Sequence, residues 1–324
     1  MDLIRSMMKG DRRALSRLIT LVENQSPDLI RLMPELYQRS GQDGKKKKRR
    51  PFVIGVTGPP GSGKSTLVDQ MLRLIRNEKK RVAVLAIDPS SPFSGGALLG
   101  DRIRMQSHAK DKDVFIRSLG SRGSYGGLSR ATKQILRIFQ VYGFQVIIVE
   151  TVGVGQTELA IMEIADTTIV ILVPESGDTV QTMKAGLLEI ANVFVVNKSD
   201  RPGADQMKSQ LTEMVGFEHK PWHVPVLKTE ATMGTGISEL WQNLLKHKKF
   251  LEKNPKELRQ KRIQELRNEF LEILIHEYQK WFLAEAGQSR KRNSLKKLLE
   301  AVENGKKDPY SAAMDVIHLP AKRF

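Results

Sequence analysis

Cysteine is absent from this chain of 324 residues, which excludes a disulfide framework and any thiolate metal site. Long apolar runs are absent too: none approaches the roughly 20 residues that a membrane span needs. The first residues, Met1 to Ser16, hold Asp2 and Asp11 and no extended apolar stretch. That is unlike a secretory signal, and the acids argue against a mitochondrial one. No membrane association and a cytoplasmic location are therefore expected. Histidine forms no ligand set: His108, His219, His223, His247, His276 and His318 are scattered, and read as structural or surface residues. There is no internal repeat, and no low-complexity tract beyond one lysine run.

Positive charge is what the chain has in excess. It carries 53 Lys and Arg against 36 Asp and Glu, a formal net charge of +17. Such a balance fits nucleic-acid or acidic-surface binding. Part of it is concentrated, in the unbroken run Lys45 to Arg50 and in the dense stretch Lys246 to Arg292. The plain reading of Lys45 to Arg50 is a solvated linker ahead of the first strand, with an anionic docking patch as the alternative. Hydrophobic residues make up 40%, enough for a sizeable core.

Apolar spacing predicts helices over Arg12–Glu23 and Asp28–Gln38, then a charged linker. Short β-rich runs follow at Phe52–Thr57, Val82–Ile87, Val114–Arg117, Val146–Glu150, Thr168–Val173, Val193–Asn197 and His223–Leu227. Several are continuously apolar, as strands covered on both faces are. Helical stretches separate them, which predicts a doubly wound, mainly parallel α/β sheet. From about Gly236 onward the pattern is helical. Glu257 to Ala284 puts Ile263, Leu266, Phe270, Leu271 and Leu274 on one face, which must pack on the core or on another chain. Trp222, Trp241 and Trp281 also fall at core or interface positions. The expected division is an N-terminal helical extension over 1–45, a nucleotide-binding domain over 46–249, and a C-terminal helical dimerisation region over 250–324.

Gly58-Pro59-Pro60-Gly61-Ser62-Gly63-Lys64-Ser65 fits G-x-x-x-x-G-K-[ST], the phosphate-binding P-loop. It follows a predicted strand and opens a predicted helix over Ser65–Arg76, the context in which the motif works. Backbone N–H groups wrap the phosphates there, and the helix N-terminus, which Thr66 shares, adds partial positive charge. Lys64 is expected to reach the β- and γ-phosphates, and the Ser65 hydroxyl to bind Mg²⁺.

Asn197-Lys198-Ser199-Asp200 ends another apolar run with N-K-x-D. A carboxylate at Asp200 can accept from both N1–H and the 2-amino group of guanine. Adenine lacks that donor pair and would leave the acid unpaired. Asn197 can brace the loop and contact the base, and the Lys198 stem can cover its face. Glu150 stands at a strand end with Gly153 three residues on, as in D-x-x-G but with Glu for Asp. The acid can hold a water of the Mg²⁺ shell, and the Gly153 N–H can sense the γ-phosphate. Gln156 is the nearest residue that could orient a water, since Val154 follows Gly153 directly. Asp88 follows another strand end, and Asp101 comes shortly after in the next loop. Both are Mg²⁺ candidates, not expected to coordinate together in one state. Arg102 and Arg104 could steady phosphate charge.

The run Ala86-Ile87-Asp88-Pro89-Ser90-Ser91-Pro92-Phe93-Ser94-Gly95-Gly96-Ala97-Leu98-Leu99-Gly100-Asp101-Arg102-Ile103-Arg104-Met105 closely resembles the methylmalonyl-CoA mutase-associated GTPases (the MeaB/ArgK group). So do Glu150-Thr151-Val152-Gly153-Val154-Gly155-Gln156, Asn197-Lys198-Ser199-Asp200, Gly10-Asp11-Arg12-Arg13-Ala14-Leu15 and Pro309-Tyr310-Ser311-Ala312-Ala313. The resemblance covers nearly the whole chain. It implies a homodimeric GTPase chaperone that gates cofactor loading and protects an adenosylcobalamin-dependent acyl-CoA mutase. It also implies that Glu175, Gly177, Asp178, Gln181 and Lys184 belong to a switch segment that couples nucleotide state to that partner. Thr229-Glu230-Ala231 stands where the family usually has Thr-Ser-Ala near the base. No D-x-H-x-x-G cobalamin-ligating pattern is present, so cobalamin is expected on the partner. A metal-handling GTPase chaperone would share the nucleotide core but lacks its Cys/His cluster here. A nucleic-acid ATPase conflicts with N-K-x-D. The older family label, a kinase for amino-acid transport, is a further alternative that these residues do not support.

Overall fold

The computed structural model describes residues 2–42, 50–88, 108, 110–120, 130–151, 160–174, 185–217, 221–286 and 289–318. Two compact units divide the chain, Met1–Arg262 and Ile263–Phe324.

The first unit is built on seven strands: β1 (Phe52–Thr57), β2 (Val82–Asp88), β3 (Val114–Gly120), β4 (Val146–Thr151), β5 (Thr167–Leu172), β6 (Val193–Asn197) and β7 (Val226–Thr229). Their order across the sheet is β3-β2-β4-β1-β5-β6-β7. Every pairing is parallel. Parallel neighbours need crossovers, and among the described residues α-helices stand between β1 and β2, β3 and β4, β5 and β6, and β6 and β7. Both sheet faces are therefore covered, which is why β1, β4, β5 and β6 are buried at every residue.

One face carries Ile54, Val56, Val84, Ile148, Ile169, Ile171 and Val195 against α4 (Lys64–Asn77) and α8 (Ile237–Lys253). Leu67, Met71 and Ile75 of α4, and Leu240, Trp241 and Leu244 of α8, recur at helical spacing and fill this core. The opposite face carries Val53, Ala83, Leu85, Phe115, Ile147 and Val149. It is covered by α5 (Arg130–Tyr142) and by the N-terminal helices α1 (Leu3–Met8), α2 (Arg12–Glu23) and α3 (Leu29–Tyr37). Asp11 caps α2, its Oδ1 accepting from the N–H groups of Arg13 at 2.8 Å and Ala14 at 3.3 Å. Towards the other edge, α6 (Ala185–Ile190) and α7 (Ala204–Gly216) pack on Val170, Leu172, Phe194 and Val196.

Strand bounds differ from expectation mainly at β7, which begins at Val226 rather than His223. Pro225 has no N–H to give the ladder, so its carbonyl alone joins, accepting from Phe194 N at 2.9 Å.

The long helix α9 (Pro255–Ala286) starts in the first unit and runs into the second, where α10 (Ser289–Glu303) and α11 (Pro309–His318) follow. Its apolar stripe of Ile263, Leu266, Phe270, Leu271, Leu274, Tyr278 and Trp281 is exposed. Among the described residues no helix is long and apolar enough to cross a membrane.

Candidate nucleotide site

All the described candidates lie at the C-terminal strand ends, on either side of β1. β1 ends at Thr57 and turns into the loop Gly58–Gly63, and α4 begins at Lys64. Two glycines are required there by the backbone. Gly58 has φ +147°, and a Cβ would stand 2.2 Å from the Ile171 carbonyl oxygen of β5. Gly63 has φ +87°, and a Cβ would stand 2.3 Å from the Asn197 Nδ2. The loop is thus pressed against β5 and β6.

Lys64 is 7% exposed, and its ammonium donates to the carbonyls of Gly58 at 2.8 Å and Pro59 at 2.9 Å. The charge is held across the loop that α4 leaves. The Ser65 hydroxyl donates to Glu150 Oε1 at 2.7 Å, with both residues buried. Register explains the pairing: Glu150 lies beside Val56 of β1 and Ala86 of β2. Asp88 is the last residue of β2 and so ends at the same rim. Thr151 Oγ1 lies 3.1 Å from Thr57 Oγ1 and ties the two strand ends together. Ser62 Oγ is buried without a hydrogen-bond partner among the described residues.

Asn197 links three segments. Its Nδ2 donates to the Ser62 carbonyl at 2.8 Å. Its Oδ1 accepts from Thr229 Oγ1 at 3.0 Å and from Ala231 N at 3.1 Å. At 2% exposure the side chain is used wholly within the protein. Lys198 takes a left-handed φ of +55°, which turns the chain sharply off β6. Ser199 N then bonds the Thr229 carbonyl at 3.0 Å, and Asp200 projects exposed beyond it. Glu230 forms an antiparallel bridge with Thr235, so Thr229-Glu230-Ala231 opens a closed loop beside Asn197.

Of the expected site residues, the structure brings together Gly58 to Thr66, Glu150, Asn197, Lys198, Asp200, Thr229, Glu230 and Ala231, with Asp88 at the same rim. Asp101, Gly153, Gln156, Glu175, Gly177, Asp178, Gln181 and Lys184 lie outside the described residues, as do Arg102, Arg104 and Lys45 to Arg49. Among the contacts that the sequence did not show are Asn197 with Ser62, Thr151 with Thr57 and Ser65 with Glu150. The first had a signal: an Asn at a buried strand end must spend its amide inside the protein.

A P-loop on the central strand of a parallel sheet, with N-K-x-D two strands away, defines a P-loop GTPase. Comparison with known proteins carries this further. The family model for the methylmalonyl Co-A mutase-associated GTPase MeaB matches residues 15–302, and the chain belongs to that family. A protein of Pyrococcus abyssi named for GTPase activity is 45% identical over 319 residues, covering 96% of this chain and 94% of that one. The GTPase ArgK of Escherichia coli is 35% identical over 251 residues, with 76% and 75% covered. The mitochondrial methylmalonic aciduria type A homolog of Mus musculus is 33% identical over 250 residues, with 74% and 60% covered. Among solved structures, one described as an LAO/AO transport system kinase superposes with a TM-score of 0.67 at 26% identity, covering 97% of this chain and 95% of that one.

Proposed function

We propose that this GTPase is a cytoplasmic, homodimeric chaperone of an adenosylcobalamin-dependent acyl-CoA mutase, gating cofactor loading and protecting the partner. The observation that carries the nucleotide chemistry is the buried Ser65–Glu150 contact at the P-loop, next to Lys64. The family's association with methylmalonyl Co-A mutase supports the partner.

In this reading the Lys64 ammonium exchanges its two loop carbonyls for β- and γ-phosphate oxygens. The N–H groups of Gly61 to Thr66 surround the same phosphates, where the dipole of α4 adds to the field. A hydroxyl and a carboxylate in contact form an oxygen donor set that fits Mg²⁺. Ser65 would bind the ion directly and Glu150 through a water, with Asp88 or Asp101 joining according to nucleotide state. Bound there, the ion would supply neutralising charge to the β- and γ-phosphates. Asp200 accepts from guanine, Lys198 covers the base, and Thr229, Glu230 and Ala231 close the base loop that Asn197 braces. Gly153 senses the γ-phosphate and Gln156 orients water. Glu175, Gly177, Asp178, Gln181 and Lys184 report nucleotide state to the mutase, which holds the cobalamin. The exposed stripe Ile263 to Trp281 of α9 would close on a second copy.

A kinase linked to amino-acid transport is the second reading, favoured by the superposition on the LAO/AO transport system kinase. GTP turnover with and without the adenosylcobalamin mutase of the same organism separates the two. The expected result is a stable complex and a rise of about 10-fold in turnover, some 1.4 kcal/mol of barrier. No complex and no change in rate with any such mutase would overturn the chaperone reading.

A further inference from the structure

At the N-terminal strand ends, opposite the nucleotide site, the first unit holds a concave cavity of about 560 Å³. Phe52 and Val146, the first residues of β1 and β4, line it, together with Tyr142 and Phe144 behind them. Five residue steps of β1 separate this end from Thr57, roughly 17 Å at 3.3 Å per residue. Arg50, Lys80 and Lys248 also line it, and among its described lining residues no side chain is acidic. Glu78 lies nearby, paired with Lys80 and accepting from the Trp241 indole N–H at 2.6 Å.

We infer that this cavity is a docking site for an acidic polypeptide segment of a partner protein, one that sets glutamate or aspartate against Arg50, Lys80 and Lys248 and an aliphatic side chain inside. Three features favour that occupant. Arg50, Lys80 and Lys248 line one cavity with no acid among its described lining residues, and carboxylates carried on a single segment complement them. The aromatic faces are already covered: the Lys248 ammonium lies 5.3 Å from the Phe52 centroid, Lys80 5.0 Å from Trp241, and the Arg81 guanidinium 4.8 Å from Tyr142. Bases bind single-stranded sites by stacking on open rings, and these rings are not open. Met8, partly exposed, and Leu245, packed on the core's edge, offer an aliphatic seat.

The test is fluorescence anisotropy of the full chain with a fluorescein-labelled peptide rich in glutamate and leucine. Binding is expected to weaken about 10-fold or more in Lys80→Ala/Lys248→Ala and in the single variant Lys248→Gln. GTP hydrolysis without peptide should stay at the wild-type rate in both, which shows that they fold. A peptide with glutamine for glutamate should not bind, and one with serine for leucine should bind more weakly. Four results would overturn the proposal. They are equal binding by wild type and variants, equal binding by the glutamine peptide, displacement by inorganic pyrophosphate at equal concentration, and tighter binding of a single-stranded oligonucleotide with the same dependence on Lys80 and Lys248.

Discussion

Asn197→Ala removes a side chain that serves three segments at once. The amide donates to the Ser62 carbonyl at 2.8 Å and accepts from Thr229 Oγ1 at 3.0 Å and Ala231 N at 3.1 Å. At about 1 kcal/mol for each buried bond, the loss is about 3 kcal/mol. Thr229→Val removes one of those bonds and keeps the volume, so it should cost about 1 kcal/mol. The two changes share that bond. The double variant should therefore cost about 1 kcal/mol less than the sum of the singles. Urea unfolding of nucleotide-free protein measures this, followed by tryptophan fluorescence in a Trp281→Phe background. Trp281 lies in the second unit, whereas Trp222 and Trp241 report the first. GDP affinity should fall in parallel, because the loop facing the phosphates loses its lateral support. A cost for Asn197→Ala below about 1 kcal/mol, or strict additivity in the cycle, would refute the reasoning.

Wild-type protein should prefer GTP over ATP by about 10-fold or more, and Asp200→Asn should move the preference towards xanthosine triphosphate; competition binding with the three nucleotides decides it. His247 is buried, its Nδ1 2.7 Å from Thr167 Oγ1, and burial first, then the Lys261 charge, lowers its pKa from 6.5 to about 4. Its neutral form is therefore fully compatible with the fold above pH 6.5, and stability should fall by about 3 kcal/mol as pH drops from 6.5 towards 4, a dependence that His247→Phe should abolish in urea titrations. The exposed stripe on α9 should make the chain a dimer at micromolar concentration in sedimentation, and Phe270→Glu with Leu274→Glu should yield a monomer of unchanged GTP affinity.

Continuous apolar runs read correctly as doubly covered strands, because burial on both faces leaves no polar position in Ile147, Ile148 and Val149 or in Val193 to Val196. The P-loop was legible for a different reason. Gly58 and Gly63 meet backbone or side-chain atoms so closely that no other residue fits, so the constraint is written into the residue types. The stripe of α9 was legible as a stripe. Periodicity marks an apolar face but carries no information on what covers it.

Lateral sheet order is where local reading stops. Ser65 and Glu150 are far apart in the chain, and each stands separately in the sequence as a Mg²⁺ candidate. They meet because β2 and β3 leave a slot beside β1 that β4 then fills. That insertion depends on crossovers packing on both faces, and no local pattern encodes it. Asn197 poses the same problem on the other side. It reaches the loop after β1 from β6, past β5, a span of about 10 Å at two strand spacings. The contact exists only because Gly58 lets that loop close down on β5, and Gly63 lets it meet the amide. One glycine pattern therefore does two things, of which the sequence displays one. It shapes a phosphate cradle, and it brings that cradle within hydrogen-bond reach of the N-K-x-D segment. In the proposed reading, phosphate and base recognition are thereby joined through a single buried side chain.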